Sequence, residues 1–257
     1  MTKAKKPAAA PATAKTGKIR VGIGGWTFEP WRGGVFFPKK LSKVRELEFA
    51  SRAVTSIEIN GTYYSSQKPQ TFRKWREETP DDFVFSVKAS RFMVIRKDLR
   101  DAAESIDRFF DSGVAELDKK LGPILWQLAP TKKFDEEEIA EYLGLMPRGF
   151  QHALEVRNPS FNDPKLWPLL KAHNVALVRA DHETYPDIDQ DTADFSYYRL
   201  QRTQADIETG YAAKDLDRWA EVLKTRAATG NDVFCYMISG AKERNPAAAQ
   251  AMLERLK

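Results

Sequence analysis

The sequence is poor in the residues that mark secreted, membrane and metal-dependent proteins. Its 257 residues include one cysteine, Cys235, and three histidines. A single cysteine excludes an internal disulfide, and its apolar surroundings predict a buried, unreactive thiol. Two of the histidines, His152 and His173, fall at the edges of predicted elements, which weakens the case for a metal site. No apolar run approaches the roughly 18 residues that a membrane-spanning helix needs.

The formal net charge of +5 is concentrated in one short segment. Residues 1–18 contain five lysines and no acidic residue; removing those five from the 41 basic residues leaves 36, which matches the 36 acidic ones. This segment is rich in alanine, proline and lysine, and we expect it to be a disordered tail. It lacks the apolar stretch of a secretory signal and the arginines of a transit peptide, so we expect a cytoplasmic protein.

From residue 19 onward, short runs typical of β-strands alternate about eight times with longer amphipathic stretches. The sixth connection alone lacks a helical pattern. The predicted strands are 19–25, 54–60, 83–88, 123–128, 152–157, 175–181, 195–201 and 232–238. The predicted helices are 41–53, 69–78, 100–121, 134–145, 163–173, 213–229 and 246–257.

Eight such units in about 240 residues favour one α/β domain over residues 19–257, a single (β/α)₈ TIM-type barrel. With 42% apolar residues, the chain can fill such a core. A doubly wound parallel sheet is the alternative fold, but no G-x-G-x-x-G motif follows a strand.

Polar residues recur where the predicted strands end. Barrel strands are buried on both faces and should stay apolar until the carboxyl-terminal rim, where TIM-barrel enzymes place their active sites. Side chains alternate along a strand, so residues two apart share a face. We therefore predict that six consecutive strands direct polar groups inward: Glu58 with Asn60, Ser86 with Lys88, Gln127, Glu155 with Arg157, Arg179 with Asp181, and Arg199 with Gln201.

Burying an unpaired charge is costly, so these groups must be paired or face a wet pocket. The predicted ring contains three carboxylates and three cations: Glu58, Glu155 and Asp181 with Lys88, Arg157 and Arg199. We favour a ligand site at the barrel mouth, and a structural charge network is the alternative.

Aromatic side chains follow the first two strands. Trp26 lies in a loop segment with five glycines, and Tyr63 and Tyr64 come shortly after Glu58 and Asn60. Flat rings beside a glycine-rich backbone suit the wall of a sugar or base pocket. The alternative is that they only cover the rim or plug the barrel.

Several of these segments, in this order, resemble the YecE-like family, a domain of unknown function given the number 72. The resemblance covers essentially residues 20–257 and implies a TIM-type barrel, with no established activity. It is carried by GGWTFEPWRGGVFFP (24–38), SIEINGTYY (56–64), FVFSVKASR (83–91), LGPILWQLAP (121–130), LEVRNPSF (154–161), RADH (179–182) and YYRLQR (197–202).

The chain departs from the family pattern at three places. Gln201 stands where the family commonly has a histidine, and Val94 and Ile95 replace a Thr-His pair. Met237, Ile238 and Ser239 replace Phe-Asn-Asn on the eighth strand. If the family is catalytic, these departures put the activity or the substrate of this member in question.

The paired carboxylates leave hydrolase, lyase or isomerase chemistry open. Glu58 and Glu155 are the predicted acid/base pair, and glycoside hydrolysis would require their carboxyl groups to lie roughly 5 to 9.5 Å apart. Lys88 is expected to be held protonated by an adjacent glutamate, although a desolvated lysine can form a Schiff base.

No cofactor is predicted. A Mg²⁺ or Mn²⁺ site built from Glu58, Glu155, Asp181 and His182 is an alternative, but the neighbouring cations would repel a metal ion.

A small anionic or polyhydroxylated ligand is the favoured partner. Lys88, Arg157 and Arg199 form the predicted anion clamp, and Asp181 is the predicted orienting carboxylate. The remaining predicted binding residues are Trp26, Asn60, Tyr63, Tyr64, Gln127, His182 and Gln201. Non-catalytic binding of nucleic acid or of a phosphorylated metabolite is the alternative, although the neutral barrel weakens it for long polyanions. The sequence gives no signal for an oligomeric state.

Overall fold

The computed structural model describes residues 16–257. Most of the predicted disordered tail, residues 1–15, lies outside the described residues. Gly17 and Lys18, which the sequence also assigns to the tail, bind the barrel: the Gly17 amide donates to the Ala227 carbonyl and the Lys18 amide to Asp232 Oδ1, both over 2.8 Å.

Eight parallel strands close into one barrel in chain order, with β1 paired to both β2 and β8. The predicted TIM-type barrel is therefore confirmed, and the doubly wound alternative is wrong. The strands are β1 (Ile19–Gly24), β2 (Ser56–Ile59), β3 (Val84–Lys88), β4 (Leu121–Gln127), β5 (His152–Glu155), β6 (Val175–Asp181), β7 (Phe195–Leu200) and β8 (Asp232–Met237).

Of the nine α-helices in the described chain, eight lie in the connections between strands and the ninth follows β8. They are α1 (Glu46–Ala53), α2 (Gly61–Tyr64), α3 (Pro69–Glu78), α4 (Arg91–Val94), α5 (Ala103–Asp111), α6 (Glu136–Gly144), α7 (Leu166–Ala172), α8 (Ala213–Ala228) and α9 (Asn245–Arg255). The connection from β6 to β7 contains no helix, as the sequence predicts. Within residues 16–257, no helix combines the length and the apolar character needed to cross a bilayer.

One predicted helix is divided in the structure. The helix predicted over 100–121 ends at Asp111, and a 3₁₀ segment, Val114–Lys120, follows. Gly113 between them has φ of 98°, a backbone conformation that glycine adopts at little cost. The amphipathic pattern of the sequence continues across Gly113, so the pattern alone does not reveal that the helix ends there.

The apolar core has two parts on opposite faces of the strands. Inside the barrel, the small cluster includes Leu125, Ala153, Val178 and Phe234. The larger cluster lies between the strands and the helices and includes Cys235, whose predicted burial is confirmed by an exposure of 0%. Burial raises the pKa of the Cys235 thiol well above its usual range, which keeps it protonated and unreactive.

Candidate functional site

Arg199 is the centre of a buried charge network inside the barrel. Its Nε and Nη2 each donate to a different oxygen of Glu58 over 3.0 Å, and its Nη1 donates to Glu155. Glu58 and Glu155 have no exposed surface, and Arg199 is 2% exposed. The guanidinium of Arg199 therefore lies between the two carboxylates and neutralises both.

Tyr197, which is not among the residues predicted from the sequence, extends this network from Glu58 to Ser86. Its hydroxyl donates to Glu58 Oε2 over 2.8 Å and lies 2.7 Å from Ser86 Oγ. A second tyrosine, Tyr236, contacts Ser56 Oγ at 2.7 Å in the same interior. The signal was available for Tyr197, because it lies two residues before Arg199 on β7 and so shares its face.

Two further polar side chains bind Glu155 from the side of the mouth. Gln127 Nε2 donates to one carboxylate oxygen over 3.1 Å, and Arg157 Nε donates to the other over 2.8 Å. Burial alone would raise the pKa of Glu155, but the charges of Arg199 and Arg157 outweigh burial and hold the pKa at about 2. Glu155 is thus a permanent anion at neutral pH.

Lys88 differs from the other charged groups of the network. It ends β3 on the inner face, is 8% exposed, and lies with its ammonium 4.4 Å from the centre of the Tyr63 ring. Within residues 16–257, no carboxylate lies within 4.0 Å of the ammonium and no atom accepts a hydrogen bond from it. The expectation that an adjacent glutamate pairs with Lys88 is therefore wrong, because Arg199 engages both candidate glutamates.

Desolvation lowers the pKa of Lys88 to about 8, and the charge of Arg199 acts in the same direction. Glu58 and Glu155 oppose this shift, and Arg157 adds to it. A substantial fraction of Lys88 is consequently a neutral amine near pH 8.

The predicted inward pair on β6 is wrong. Ala180, not Arg179 or Asp181, is in register with the inward Arg199, so both charged residues face away from the interior. Arg179 donates to Asp187 over 2.7 Å and to Asp189 over 2.6 Å, and its guanidinium packs on Trp219 of α8. Asp181 accepts from the Tyr211 hydroxyl at 3.0 Å, so it does not orient a ligand in the mouth.

His182 follows Asp181 and lies at the edge of the mouth. Its ring stacks on Tyr185 with centroids 3.7 Å apart, and Nδ1 accepts from the Thr184 amide at 3.1 Å. The Arg157 guanidinium covers Tyr185 at 4.6 Å from the ring centre. Partial burial and the charge of Arg157 lower the pKa of His182, which favours the neutral imidazole. Tyr185 lies in the long sixth connection, where no periodic pattern identifies it.

The alternative metal set does not assemble. Asp181 points away from the interior, and Arg199 lies between Glu58 and Glu155. Among residues 16–257, no group of three or more histidine, cysteine or acidic side chains has an arrangement that could hold a metal ion.

The geometry also argues against the predicted acid/base pair. Glu58 and Glu155 are sealed from solvent, and a guanidinium lies where a scissile bond or a water molecule would have to enter. The low pKa of Glu155 prevents it from donating a proton near neutral pH.

The aromatic residues divide between two places. Tyr63 lies beneath Lys88, whereas Trp26 and Asn60 line a separate cavity of about 360 Å³ together with Phe28 and Trp75. Tyr64 packs edge-on against Tyr63 but is 69% exposed. The predicted walls therefore belong to two adjoining parts of the rim.

The departures from the family pattern also lie at the rim. Gln201 follows Arg199 on the inner face, is 5% exposed, and its buried Nε2 has no hydrogen-bond partner within the described chain. Ile95 is 54% exposed, and Ser239 has φ of 65°. An unpartnered buried amide donor is costly unless a ligand or water accepts from it.

Comparison with known proteins agrees with this fold. The family model described as "Protein of unknown function DUF72" matches residues 20–257. The chain is 29% identical over 147 residues to the UPF0759 protein YecE of Escherichia coli (strain K12), covering 56% of this chain and 50% of YecE. It is 26% identical over 160 residues to the UPF0759 protein YunF of Bacillus subtilis (strain 168), covering 58% of this chain and 54% of YunF. The matches thus span about half the length of these curated relatives.

A solved structure of a DUF72 family protein from Thermotoga maritima MSB8 is similar throughout. Its TM-score is 0.74 at 21% identity, and the match covers 93% of this chain and 98% of that chain. This likeness supports the barrel and carries no information about activity.

Proposed function

The chain belongs to the DUF72 family, and we propose that this member binds a small anionic ligand at the carboxyl-terminal mouth of its barrel. One observation carries the proposal. Among residues 16–257, the inner face near the mouth holds the cations Lys88, Arg157 and Arg199 and the two carboxylates Glu58 and Glu155, and Arg199 binds both carboxylates. Within this described part of the chain, one positive charge near the mouth has no matching carboxylate.

The unused donors belong to Lys88 and Arg157. Within residues 16–257, Lys88 donates no hydrogen bond, and Arg157 donates only from Nε, to Glu155. The two terminal nitrogens of Arg157 keep a planar pair of donors that matches a carboxylate or a phosphate. The Tyr185 ring packs against this guanidinium at 4.6 Å from the ring centre. These groups together favour an anion over a neutral ligand.

The buried triad of Glu58, Arg199 and Glu155 supports the site from below. Each of its members is bonded on several sides and has almost no exposed surface. We infer that this triad is structural and that the ligand contacts the layer above it. The sequence left two alternatives, a ligand site and a structural charge network. We infer that the network is the layer of Glu58, Arg199 and Glu155, and that the ligand site is the layer above it, with Lys88 and Arg157.

Calorimetric titration with inorganic phosphate, and with glucose as a neutral polyhydroxylated comparison, tests the proposal. We expect phosphate to bind, and Arg157→Ala to weaken it by about tenfold or more, since a hydrogen bond to a charged group contributes about 1.5 to 3 kcal/mol. Arg73→Ala is the matched control, because Arg73 forms its ion pair with Glu116 away from the mouth. Equal phosphate affinity in the two variants would contradict the proposal, and binding of glucose alone would favour the polyhydroxylated class.

A second candidate, nucleic-acid binding, is favoured by a different part of the rim. A groove of about 640 Å³ is lined by Arg96, Lys97, Lys132 and Lys133. Lys132 pairs with Glu138, whereas Lys97 and Lys133 form no ion pair with any described residue. Exposed Phe92 and Ile95 lie on the same connection as Arg96, and an exposed ring beside cations can stack on a base.

Fluorescence anisotropy with a labelled single-stranded DNA oligonucleotide tests this second candidate. Binding that weakens steeply with salt and is reduced by Lys97→Ala with Lys133→Ala would support it. Lys165→Ala is the control, since Lys165 pairs with Glu136. Binding that is unchanged in the double variant would rule out this groove.

A further inference from the structure

Lys88 is buried, yet no residue of the described chain accepts a hydrogen bond from it or forms an ion pair with it, which is uncommon for a lysine. The described chain contains a second lysine of equal exposure, Lys120, also at 8%. The Lys120 ammonium donates to the Arg76 carbonyl over 2.7 Å, to the Thr79 carbonyl over 2.8 Å and to Thr79 Oγ1 over 3.3 Å. Lys88 has no such acceptor within residues 16–257 and its ammonium lies against the Tyr63 ring, so no hydrogen bond accounts for its burial.

Desolvation and the charges of Arg199 and Arg157 favour the neutral form of Lys88. Glu58 and Glu155, which are bound to those arginines, and the Tyr63 ring favour its charged form but do not outweigh these effects. The neutral amine of a desolvated lysine is a nucleophile, whereas an ammonium is not. The backbone beneath it is held by the Thr62 hydroxyl, which donates to the Lys88 carbonyl over 2.7 Å.

We propose that Lys88 is a nucleophile that forms an imine with an aldehyde or ketone group of the anion bound at the mouth. This inference rests on the proposed function, and it narrows the ligand class to small anions that carry a carbonyl group, such as 2-oxo acids. Arg157 would hold the carboxylate or phosphate of the ligand. The carbonyl carbon would then lie toward the amine of Lys88.

The reaction balances without an oxidant, a reductant or a metal ion. The lone pair of Lys88 Nζ attacks the carbonyl carbon and forms the C–N bond, while the carbonyl π electrons move to oxygen, which takes up a proton. The resulting carbinolamine loses its oxygen as one molecule of water, whose two hydrogens derive from the amine. The product is a carbon–nitrogen double bond on Lys88, and water reverses the reaction.

Reductive trapping tests this proposal on the full chain. The protein is incubated at pH 8 with pyruvate and sodium cyanoborohydride, which supplies the hydride that reduces an imine to a stable secondary amine. Peptide mass spectrometry then locates the adduct. We expect modification of Lys88 at least about tenfold faster than of the exposed Lys97, because Lys88 lies beside Arg157, which holds the anion, and a pKa of about 8 makes a large fraction of its amine neutral at pH 8. An adduct spread over exposed lysines, with Lys88 unmodified, would overturn the proposal.

Three variants separate this inference from the proposed function. Lys88→Arg keeps the charge but cannot form the imine, so it should still bind phosphate while losing the adduct. Lys120→Arg should retain the adduct on Lys88. Arg157→Ala should slow trapping of pyruvate but not of acetone, which has no anionic group for Arg157 to hold.

Failure of the imine proposal and failure of the anion-site proposal give different experimental results. Phosphate binding that depends on Arg157, together with an unmodified Lys88, would overturn the imine and leave the anion site in place. Equal trapping of pyruvate and acetone on Lys88 without phosphate binding would support the nucleophile and overturn the anion site.

Discussion

Arg199 binds Glu58 in the interior of the barrel through two hydrogen bonds of 3.0 Å, one donated by Nε and one by Nη2. The same guanidinium reaches across to Glu155, so three strands are joined by one side chain. This bond pattern determines which groups at the mouth remain available to a ligand.

Removing Arg199 should be severely destabilising. Arg199→Ala leaves Glu58 and Glu155 buried without a counterion, and breaking a buried ion pair in this way costs about 3 to 5 kcal/mol. Chemical denaturation measures the loss. Arg179→Ala is the matched control, because Arg179 pairs with exposed Asp187 and Asp189 outside the barrel and should cost about 1 kcal/mol. Equal losses in the two variants would contradict the assigned orientation of β6.

Acid should weaken the fold through Glu155. Its pKa is about 2 in the folded protein against an ordinary value of 4.5, so the unfolded chain binds protons first as the pH falls. The resulting stability, on the order of 3 kcal/mol, is present above pH 4.5 and lost as the pH falls through about 2.

Denaturation curves between pH 6 and 2 check this expectation. Arg100 holds the pKa of Asp98 at about 2, so Asp98 adds to the loss of stability over the same pH range in every variant. Glu155→Gln should therefore be less stable at neutral pH and have a shallower acid slope than the unmodified protein. If the stability of the two proteins falls with pH along parallel curves, Glu155 is not the source of the acid sensitivity.

Lys88 and Lys120 should respond oppositely to the same substitution. Lys88→Met removes a desolvated cation that has no hydrogen-bond acceptor among residues 16–257, and it should stabilise the protein by about 1 to 3 kcal/mol at pH 7. Lys120→Met leaves the Arg76 and Thr79 carbonyls without their donor and should destabilise it. Thermal unfolding of both variants is the measurement.

The pH dependence of the Lys88→Met effect has a defined sign. The folded pKa of about 8 lies below the ordinary 10.5, so the unfolded state binds more protons between these values. The stability of the unmodified protein thus rises with pH in this window, and the advantage of Lys88→Met should be greatest below pH 8 and fade toward 10.5. A constant advantage would indicate a packing effect instead.

Gly113 should tolerate a side chain poorly. A Cβ at this position would lie 2.8 Å from Pro69 Cα, and φ is 98°. Gly113→Ala should cost about 2 to 5 kcal/mol, combining backbone strain with overpacking. Gly33 has φ of 73° but open space around its Cβ position, so Gly33→Ala should cost about 1 to 2 kcal/mol from strain alone. Similar midpoints of denaturation for the two variants would contradict the steric argument.

The period-two alternation of side chains accounts for most of what the sequence predicted at the site. It identified Glu58, Lys88, Glu155 and Arg199 as inward residues, because each lies near the end of an otherwise apolar strand. On β6 the same rule shows only that Arg179 and Asp181 share a face. Which face they share depends on the register with β7, where Ala180 lies opposite Arg199.

The pairing of charges was less predictable than their position. A count of charges treats arginine and lysine as equivalent. The forked guanidinium of Arg199, however, can bind two carboxylates at once, whereas the ammonium of Lys88 is a single point of charge. Tyr185 illustrates a further limit. It reaches the mouth from the long, helix-free sixth connection, where local sequence carries no period that indicates direction.

Gly17 and Lys18 fasten the start of the described chain to the end of the barrel opposite the mouth, near Ala227 and the first residue of β8. A chemical tether attached at Thr16 therefore meets the molecule on the side opposite the mouth. Protein immobilised through such a tether on a sensor surface would present the mouth to the flowing solution, and its ligands would reach Lys88 and Arg157 without passing the support.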